Sequence, residues 1–220
     1  MTQISLAVDV VVVTLRPEDC TDRWEPIVLA VRRDHDPFLG AWSLPGAAVE
    51  RDEDLEKAAR RVLSESLGPH QPRHLEQLAS FGAPNRNPRG RVVSVCYLAL
   101  LPARITPGPA AQWWPIATPP GLAFDHARIL ASAFERLRGK LAYSNVAYGL
   151  LPEKFTLSDL QAVYEAVLDR TLDKRNFRKK VLSLGMLQEA EGQRRGSHRP
   201  AQLYRFTSNG LVLLDDVIAV

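Results

Sequence analysis

Leu44-Pro45-Gly46-Ala47-Ala48-Val49-Glu50-Arg51-Asp52-Glu53, followed by a run ending Arg61-Val62-Leu63-Ser64-Glu65-Ser66-Leu67-Gly68, is the stretch on which the fold turns. From Leu55 onward the apolar residues fall at Leu55, Ala58, Ala59, Val62, Leu63 and Leu67. Spacings of three and four predict an amphipathic helix, which Gly68-Pro69 stops. Positions 62, 65 and 66 then share one helical face.

Working outward, Ile4–Leu15 and Pro26–Arg32 read as strands on either side of a polar loop, and Leu75–Phe81 and Arg91–Leu101 as two more. Asp34–Gly46 is a loop. Pro102–Pro120 is also loop-like, with Trp113-Trp114-Pro115 as an insert that packs beneath it. Phe124–Leu141 has helical periodicity, with Asp125 a candidate N-cap. Strands mixed with two helices make residues 1–141 an α+β unit.

After Leu151-Pro152 the pattern changes. Thr156 and Asp159 form a capping box, and Leu160, Val163, Tyr164 and Val167 line one face of a helix over Leu157–Leu168. Asp173 caps a second helix to about Leu184, with Phe177 and Val181 inward and Arg175, Arg178 and Lys179 outward. Two strand-like runs, Leu187–Glu191 and Ala201–Phe206, flank the basic segment Gly192-Gln193-Arg194-Arg195-Gly196-Ser197-His198-Arg199-Pro200. Helix, turn, helix and basic hairpin predict a winged helix-turn-helix over 156–220, joined to the first unit by a linker at 142–155.

Composition agrees with two globular domains in 220 residues: 45% hydrophobic, 24% charged. No apolar run reaches the ~18 residues of a membrane span. The opening strand lacks a basic leader and a cleavage site, so a cytoplasmic protein is expected. Cys20 and Cys96 suffice neither for a disulfide framework nor for a thiolate zinc site, and read as ordinary hydrophobes. The net charge of +3 is concentrated: residues 170–205 hold ten Lys/Arg against three Asp/Glu. That excess suits a polyanion, although a merely solvated basic face has the same composition.

The quoted stretch resembles the Nudix box, G-x5-E-x7-R-E-U-x-E-E-x-G-U with U a bulky aliphatic. Gly46, Glu53, Arg61, Glu65 and Gly68 match, with one extra residue between Gly46 and Glu53 and Pro69 in place of the last U. The resemblance implies a Nudix α/β/α sandwich. In that family the positions equivalent to 62, 65 and 66 hold divalent metal and handle the attacking water. Here they are Val62, Glu65 and Ser66, so one carboxylate remains where a hard cation needs several oxygens. No metal and no catalytic residue is therefore expected. An active hydrolase of ADP-ribose or a related nucleoside diphosphate, rescued by carboxylates from elsewhere, is the alternative.

A degenerate Nudix domain joined to a basic winged helix resembles the NrtR-type transcriptional regulators of bacteria. Leu122-Ala123-Phe124-Asp125-His126, Asp173-Lys174-Arg175-Asn176-Phe177-Arg178-Lys179-Lys180 and Arg199-Pro200-Ala201-Gln202-Leu203-Tyr204-Arg205 carry the likeness across nearly the whole chain. It implies a dimeric repressor of NAD-metabolism genes, released from operator DNA by ADP-ribose. Lys174, Arg175, Asn176, Arg178 and Lys179 are the candidate groove readers, with Arg194, Arg195 and Arg199 in the wing. For the pyrophosphate, Arg89 and Arg91 come first and Arg33 and Arg60 second. Phe38, Trp42 and Phe81 are candidate partners for adenine, though each also reads as core. His126 reads as a structural histidine. A sensor that acts through a protein partner instead of DNA is the remaining alternative.

Overall fold

In the computed structural model, which describes residues 4–17, 23–103, 105–194 and 200–214, the first unit is built around β1 (Ser5–Pro17). From Val8 to Val13 this strand is buried on both faces, which only a strand covered from two sides tolerates. Its neighbours are β2 (Trp24–Arg32), β3 (Trp42–Ser43), β4 (Gly46–Ala48), β5 (His74–Phe81), β6 (Val92–Leu100) and β7 (Ala111–Pro115). The helices are α1 (Leu55–Leu67) and α2 (His126–Tyr143). Strand order is β3-β2-β1-β6-β5, with β4 paired to β1 and β7 to β2. Only the β1–β6 pair among these is parallel.

Alternation along β1 sends its side chains to two cores. Val8, Val10 and Val12 pack with Ala58, Ala59, Val62, Leu63 and Leu67 of α1. Val11, Val13 and Leu15 pack with Ile129, Leu130, Ala133, Leu137 and Leu141 of α2. The result is the expected Nudix α/β/α sandwich. Trp113-Trp114-Pro115, expected in a loop, instead forms β7: Trp113 faces Leu29 and Trp114 faces Val28 in register. Burial of Trp113, whose indole N–H donates to the Ile105 carbonyl at 2.9 Å, draws the segment onto the sheet edge.

The second unit contains α3 (Leu157–Leu168), α4 (Lys174–Ser183) and the antiparallel pair β8 (Leu187–Arg194) and β9 (Ala201–Phe206). Phe155 bridges to Tyr204 and adds a third strand segment. The predicted capping box is formed: Asp159 N–H donates to Thr156 Oγ1 at 3.1 Å and Thr156 N–H to Asp159 Oδ2 at 2.8 Å. This is a winged helix-turn-helix. Arg195 and Arg199 lie outside the described residues, as does Cys20.

Residues 142–155, expected as a linker, are not a loose connection. α2 runs on to Tyr143, and a 3-10 turn over Val146–Leu150 is buried throughout. A Cβ on Gly149 would lie 2.8 Å from Leu100 Cβ and 2.9 Å from His74 Cβ, so only glycine allows this approach. His74 Nδ1 lies 2.9 Å from the Tyr148 hydroxyl, and Arg73 donates to the Leu151 carbonyl at 2.7 Å. One hydrophobic core passes without a break from Val11 through Leu141 and Tyr148 to Tyr164, Phe177 and Phe206. Among the described residues no helix is long and apolar enough to cross a membrane.

Candidate functional site

The Nudix-box loop closes over the N-terminus of α1, where Asp54 accepts from Lys57 N–H at 2.7 Å. Gly46 pairs with Asp9 across β4 and β1, and a Cβ there would sit 2.1 Å from Asp9 Oδ1, which excludes every other residue. Arg61 braces the loop. Its guanidinium donates to Glu53 at 2.5 Å and to the Ala48 carbonyl at 3.1 Å, and lies 3.7 Å from Glu50 and 3.5 Å from Glu65. The hydrogen bond from Arg61, with a second from Glu50 N–H, holds the Glu53 carboxyl down at about 2. One arginine thus neutralises the box carboxylates that remain.

At positions 62, 65 and 66, where the resemblance implies metal-holding carboxylates, one carboxylate is present. Val62 lies in the core under the sheet, with 2% of its surface exposed. Ser66 turns its hydroxyl back to the Val62 carbonyl at 3.0 Å. Glu65 is exposed and points at Arg61. Among the described residues, no group of three or more His, Cys, Asp or Glu is placed to hold a metal ion. This donor set does not fit a hard divalent cation, which needs several converging oxygens.

A cleft of about 320 Å³ opens elsewhere, at the N-terminus of α2. Phe38 and Phe124 form its lip and Asn85, Arg86, Asp125 and Arg128 line it. Its floor is a buried polar network. Arg86 grips Asp125 through two nitrogens, at 2.7 and 3.0 Å, and reaches Asp9 at 3.3 Å. Ser94 donates to Asp9 at 2.6 Å. Asp125 therefore occupies the N-cap position of α2 without capping it by its side chain; Arg86 has taken the carboxylate. His126 Nδ1 accepts from Leu44 N–H at 2.9 Å. Burial lowers the pKa of its ring below the usual histidine range, so it is a neutral structural acceptor.

Of the residues singled out for an effector, this region gathers three. Phe38 is on the lip, Arg33 lies over the Phe124 ring at 4.8 Å, and Arg89 follows the lining residue Pro88. Desolvation above all lowers the Arg33 pKa, and the like charge of Arg89 acts in the same sense. Four candidates go elsewhere. Phe81 is buried in the core, with Arg128 over its ring at 5.9 Å. Trp42 packs edge-on against Trp114 at 5.6 Å. Arg91 donates to the Gly82 carbonyl at 2.5 Å, and Arg60 pairs with Glu56 one turn away on α1. Sequence reasoning missed Phe124, Asn85, Arg86 and Arg128. The family-like Phe124-Asp125 and the Asn85–Arg91 run were signals, but periodicity cannot say that they meet.

On the winged helix, Asp173 caps α4 by accepting from Asn176 N–H at 2.8 Å. Phe177 and Val181 face inward while Lys174, Arg175, Asn176 and Lys179 are exposed. Arg178, expected outward, is half-buried and donates to Ser158 Oγ of α3 at 3.1 Å. Arg194, expected as a DNA-contacting residue of the wing, is paired with Asp159 at 2.8 Å. Position 178 follows the inward Phe177 and tilts toward α3, and β8 carries Arg194 past the start of α3, where Ser158 and Asp159 wait. The turn between the helices is fastened by Glu165 Oε1, which accepts from Leu172 N–H at 2.8 Å and from Gln161 at 3.0 Å.

Two domain families account for this architecture: the NUDIX domain matches residues 6–133, and the NrtR DNA-binding winged helix domain matches residues 147–206. The chain is 37% identical over 194 residues to the ADPR responsive transcriptional repressor NtrR of Acinetobacter baylyi, covering 84% of this chain and 77% of that protein. It superposes on Shewanella oneidensis NrtR crystallised with a 27mer DNA with a TM-score of 0.80, at 36% identity over 92% of this chain and 93% of that one. The NUDIX domain of the same protein, crystallised with ADP ribose, matches with a TM-score of 0.51 at 36% identity, over 62% of this chain and 90% of that one. The molecule is thus of the class that joins a Nudix sandwich to a DNA-binding winged helix. The chain belongs to the NrtR family of transcriptional regulators.

Proposed function

We propose that this protein is a cytoplasmic, dimeric repressor of NAD-metabolism genes. It binds operator DNA through α4 and its wing, and senses ADP-ribose in a Nudix domain that no longer hydrolyses it. The observation that carries this reading is Val62: a core valine stands where the chemistry needs a metal-bearing carboxylate, while the brace Glu53–Arg61 is intact. Scaffold without cation leaves recognition as the task.

In this reading Arg33 and Arg89 bind the pyrophosphate, and the adenine packs on Phe38 and Phe124. Lys174, Arg175, Asn176 and Lys179 read the major groove, with Asn suited to adenine and Arg to guanine. α2 supports the coupling. Its N-terminal end carries Asp125 and Arg128 of the cleft, and its C-terminal half is bonded to α3: Arg138 donates to the Val167 carbonyl at 2.9 Å, and the Tyr164 hydroxyl donates to the Leu141 carbonyl at 3.3 Å. A movement of α2 on closure of the cleft therefore reaches the reading head. Effector must favour the released state by a few kcal/mol to empty the operator.

The test is operator affinity at fixed salt with and without ADP-ribose, beside a magnesium-dependent assay for AMP release. The reading requires a loss of affinity and intact ADP-ribose. Unchanged affinity sinks the sensing role, and AMP formed at ordinary enzymatic turnover restores the hydrolase alternative.

A further inference from the structure

Beyond the wing the chain returns to the junction between the domains. Thr207, next after β9, donates its N–H to the Met186 carbonyl at 3.0 Å. A turn follows, in which Gly210 N–H donates to Ser208 Oγ at 3.2 Å. The next residues run antiparallel to Tyr143-Ser144-Asn145, the link between α2 and the 3-10 turn, with Leu213 opposite Ser144. Leu214 N–H donates to the Tyr143 carbonyl at 2.9 Å, and Asn145 N–H to the Val212 carbonyl at 3.1 Å.

Asn145 also holds this returning strand with its side chain. It occupies the N-cap position of the 3-10 turn but does not cap it. Instead Nδ2 donates to the Gly210 carbonyl at 3.0 Å, and Oδ1 accepts from Val212 N–H at 2.7 Å. The carboxamide does what a peptide group of a neighbouring strand would do. Asn145 is buried, so both ends of its carboxamide need partners, and the returning strand supplies them. That strand has little burial of its own: Leu214 packs on the core, whereas Leu211, Val212 and Leu213 are exposed. Polar bonds to the link, rather than apolar contact, keep it in place. Ser144 Oγ meanwhile donates to the Lys140 carbonyl at 2.6 Å and accepts from Val146 N–H at 3.3 Å, which joins the end of α2 to the 3-10 turn.

We infer that Asn145 is a positioning residue for regulation: it clamps residues 210–214 to the end of α2, so that the wing follows this helix when effector moves it. Only three residues separate Phe206, the last of β9, from Gly210, so the clamp and the wing strand are closely tethered. α2 has the effector cleft at its N-terminal end and the clamp at its C-terminal end. Its bonds to α3 carry a displacement toward α4, and the clamp carries the same displacement to β9. The clamp stands independently of the proposed function; its regulatory consequence rests on ADP-ribose acting through α2.

The experiment compares the native full chain with Asn145→Ala and with Val212→Pro, an exposed position where the substitution removes the N–H that Oδ1 accepts from. Amide hydrogen exchange should be about tenfold faster over residues 207–214 in both variants, severalfold faster over β9, and unchanged over α1. ADP-ribose affinity should stay as in the native chain. The factor by which saturating ADP-ribose lowers operator affinity should shrink severalfold in both. Adding Val212→Pro to Asn145→Ala should change that factor no further, because the two substitutions break one contact. Native exchange over 207–214 in both variants overturns the clamp. Faster exchange with an undiminished ADP-ribose effect, or with weakened ADP-ribose binding, overturns the positioning role. Should ADP-ribose leave the operator affinity of the native chain unchanged, the sensing function falls, while exchange over 207–214 and β9 still decides the clamp.

Discussion

Phe38 and Phe124 meet edge to face, 4.8 Å between ring centroids and 74° between planes, and both hold left-handed backbone, at φ 67° and 57°. Such a conformation costs a non-glycine residue about 1–2 kcal/mol. Two adjacent aromatics held this way at a cleft mouth indicate that ring placement outweighs local comfort. Phe38 is 44% exposed, so it contributes little core burial. Phe38→Gly is therefore expected to leave chemical stability unchanged or raise it by up to about 1 kcal/mol, while ADP-ribose affinity falls about tenfold. Urea unfolding and calorimetry measure the two effects separately. Unaltered ADP-ribose affinity would remove Phe38 from the effector site.

Arg86 has 4% of its side chain exposed and keeps Asp9 and Asp125 from facing each other unpaired. Arg86→Met should cost about 3–5 kcal/mol, since it strands two carboxylates in a buried site. Adding Asp125→Asn should recover part of that loss. A double-mutant cycle on denaturant midpoints reads the coupling directly.

Restoring the family's carboxylates should separate their two positions. Val62→Glu puts a charge into the core under β1 and should destabilise the protein by about 3 kcal/mol or more. Ser66→Glu, at a half-buried position, should be tolerated. Neither is expected to produce magnesium-dependent AMP release, because Val62→Glu fails to fold well and Ser66→Glu adds a single carboxylate beside Glu65, which Arg61 already approaches. A folded Val62→Glu protein that hydrolyses ADP-ribose would contradict this account.

Acid should weaken the fold in two stages. His126 is buried and neutral, with its pKa lowered in the folded state, so the unfolded chain takes up the proton first. Its contribution is present above about pH 6.5 and is lost as pH falls below that value. Glu53 is held at about 2 by Arg61, so its contribution is present above the usual carboxylate range and is lost as pH falls toward 2. Thermal midpoints measured from pH 8 to 2 should show both declines. Glu53→Gln should flatten only the lower one, and a persistent lower decline in that variant would show that another carboxylate is responsible.

Arg175 and Arg194 should differ on DNA although both are basic. Arg175→Ala should weaken operator binding and reduce the slope of log affinity against log salt by about 1. Arg194→Ala should leave that slope unchanged, because the side chain is held by Asp159. Titrations across a salt series compare them, and an equal loss of slope would mean that Arg194 leaves Asp159 for a phosphate.

The cleft was legible only in pieces. Arg33, Arg89 and Phe38 were visible as cations and an aromatic near a loop, but Phe124, 86 residues beyond Phe38, joins them only because β3 and the start of α2 converge. Phe81 and Arg60 look equally suitable in one dimension. The sheet turns the first into the core, and α1 points the second at Glu56 and solvent.

What the sequence determined by itself was periodic or local. The spacing of α1, the capping box at Thr156 and Asp159, the absence of carboxylates at 62 and 66, and the basic excess after Arg170 depend on neighbours within a turn or two. Tertiary structure alone decided that 144–151 is buried, that Trp113-Trp114 is a strand, and that Arg178 and Arg194 are tethered to α3. Those outcomes depend on which distant surfaces meet, and burial, ion pairing and charge screening follow from that meeting and are invisible to spacing along the chain.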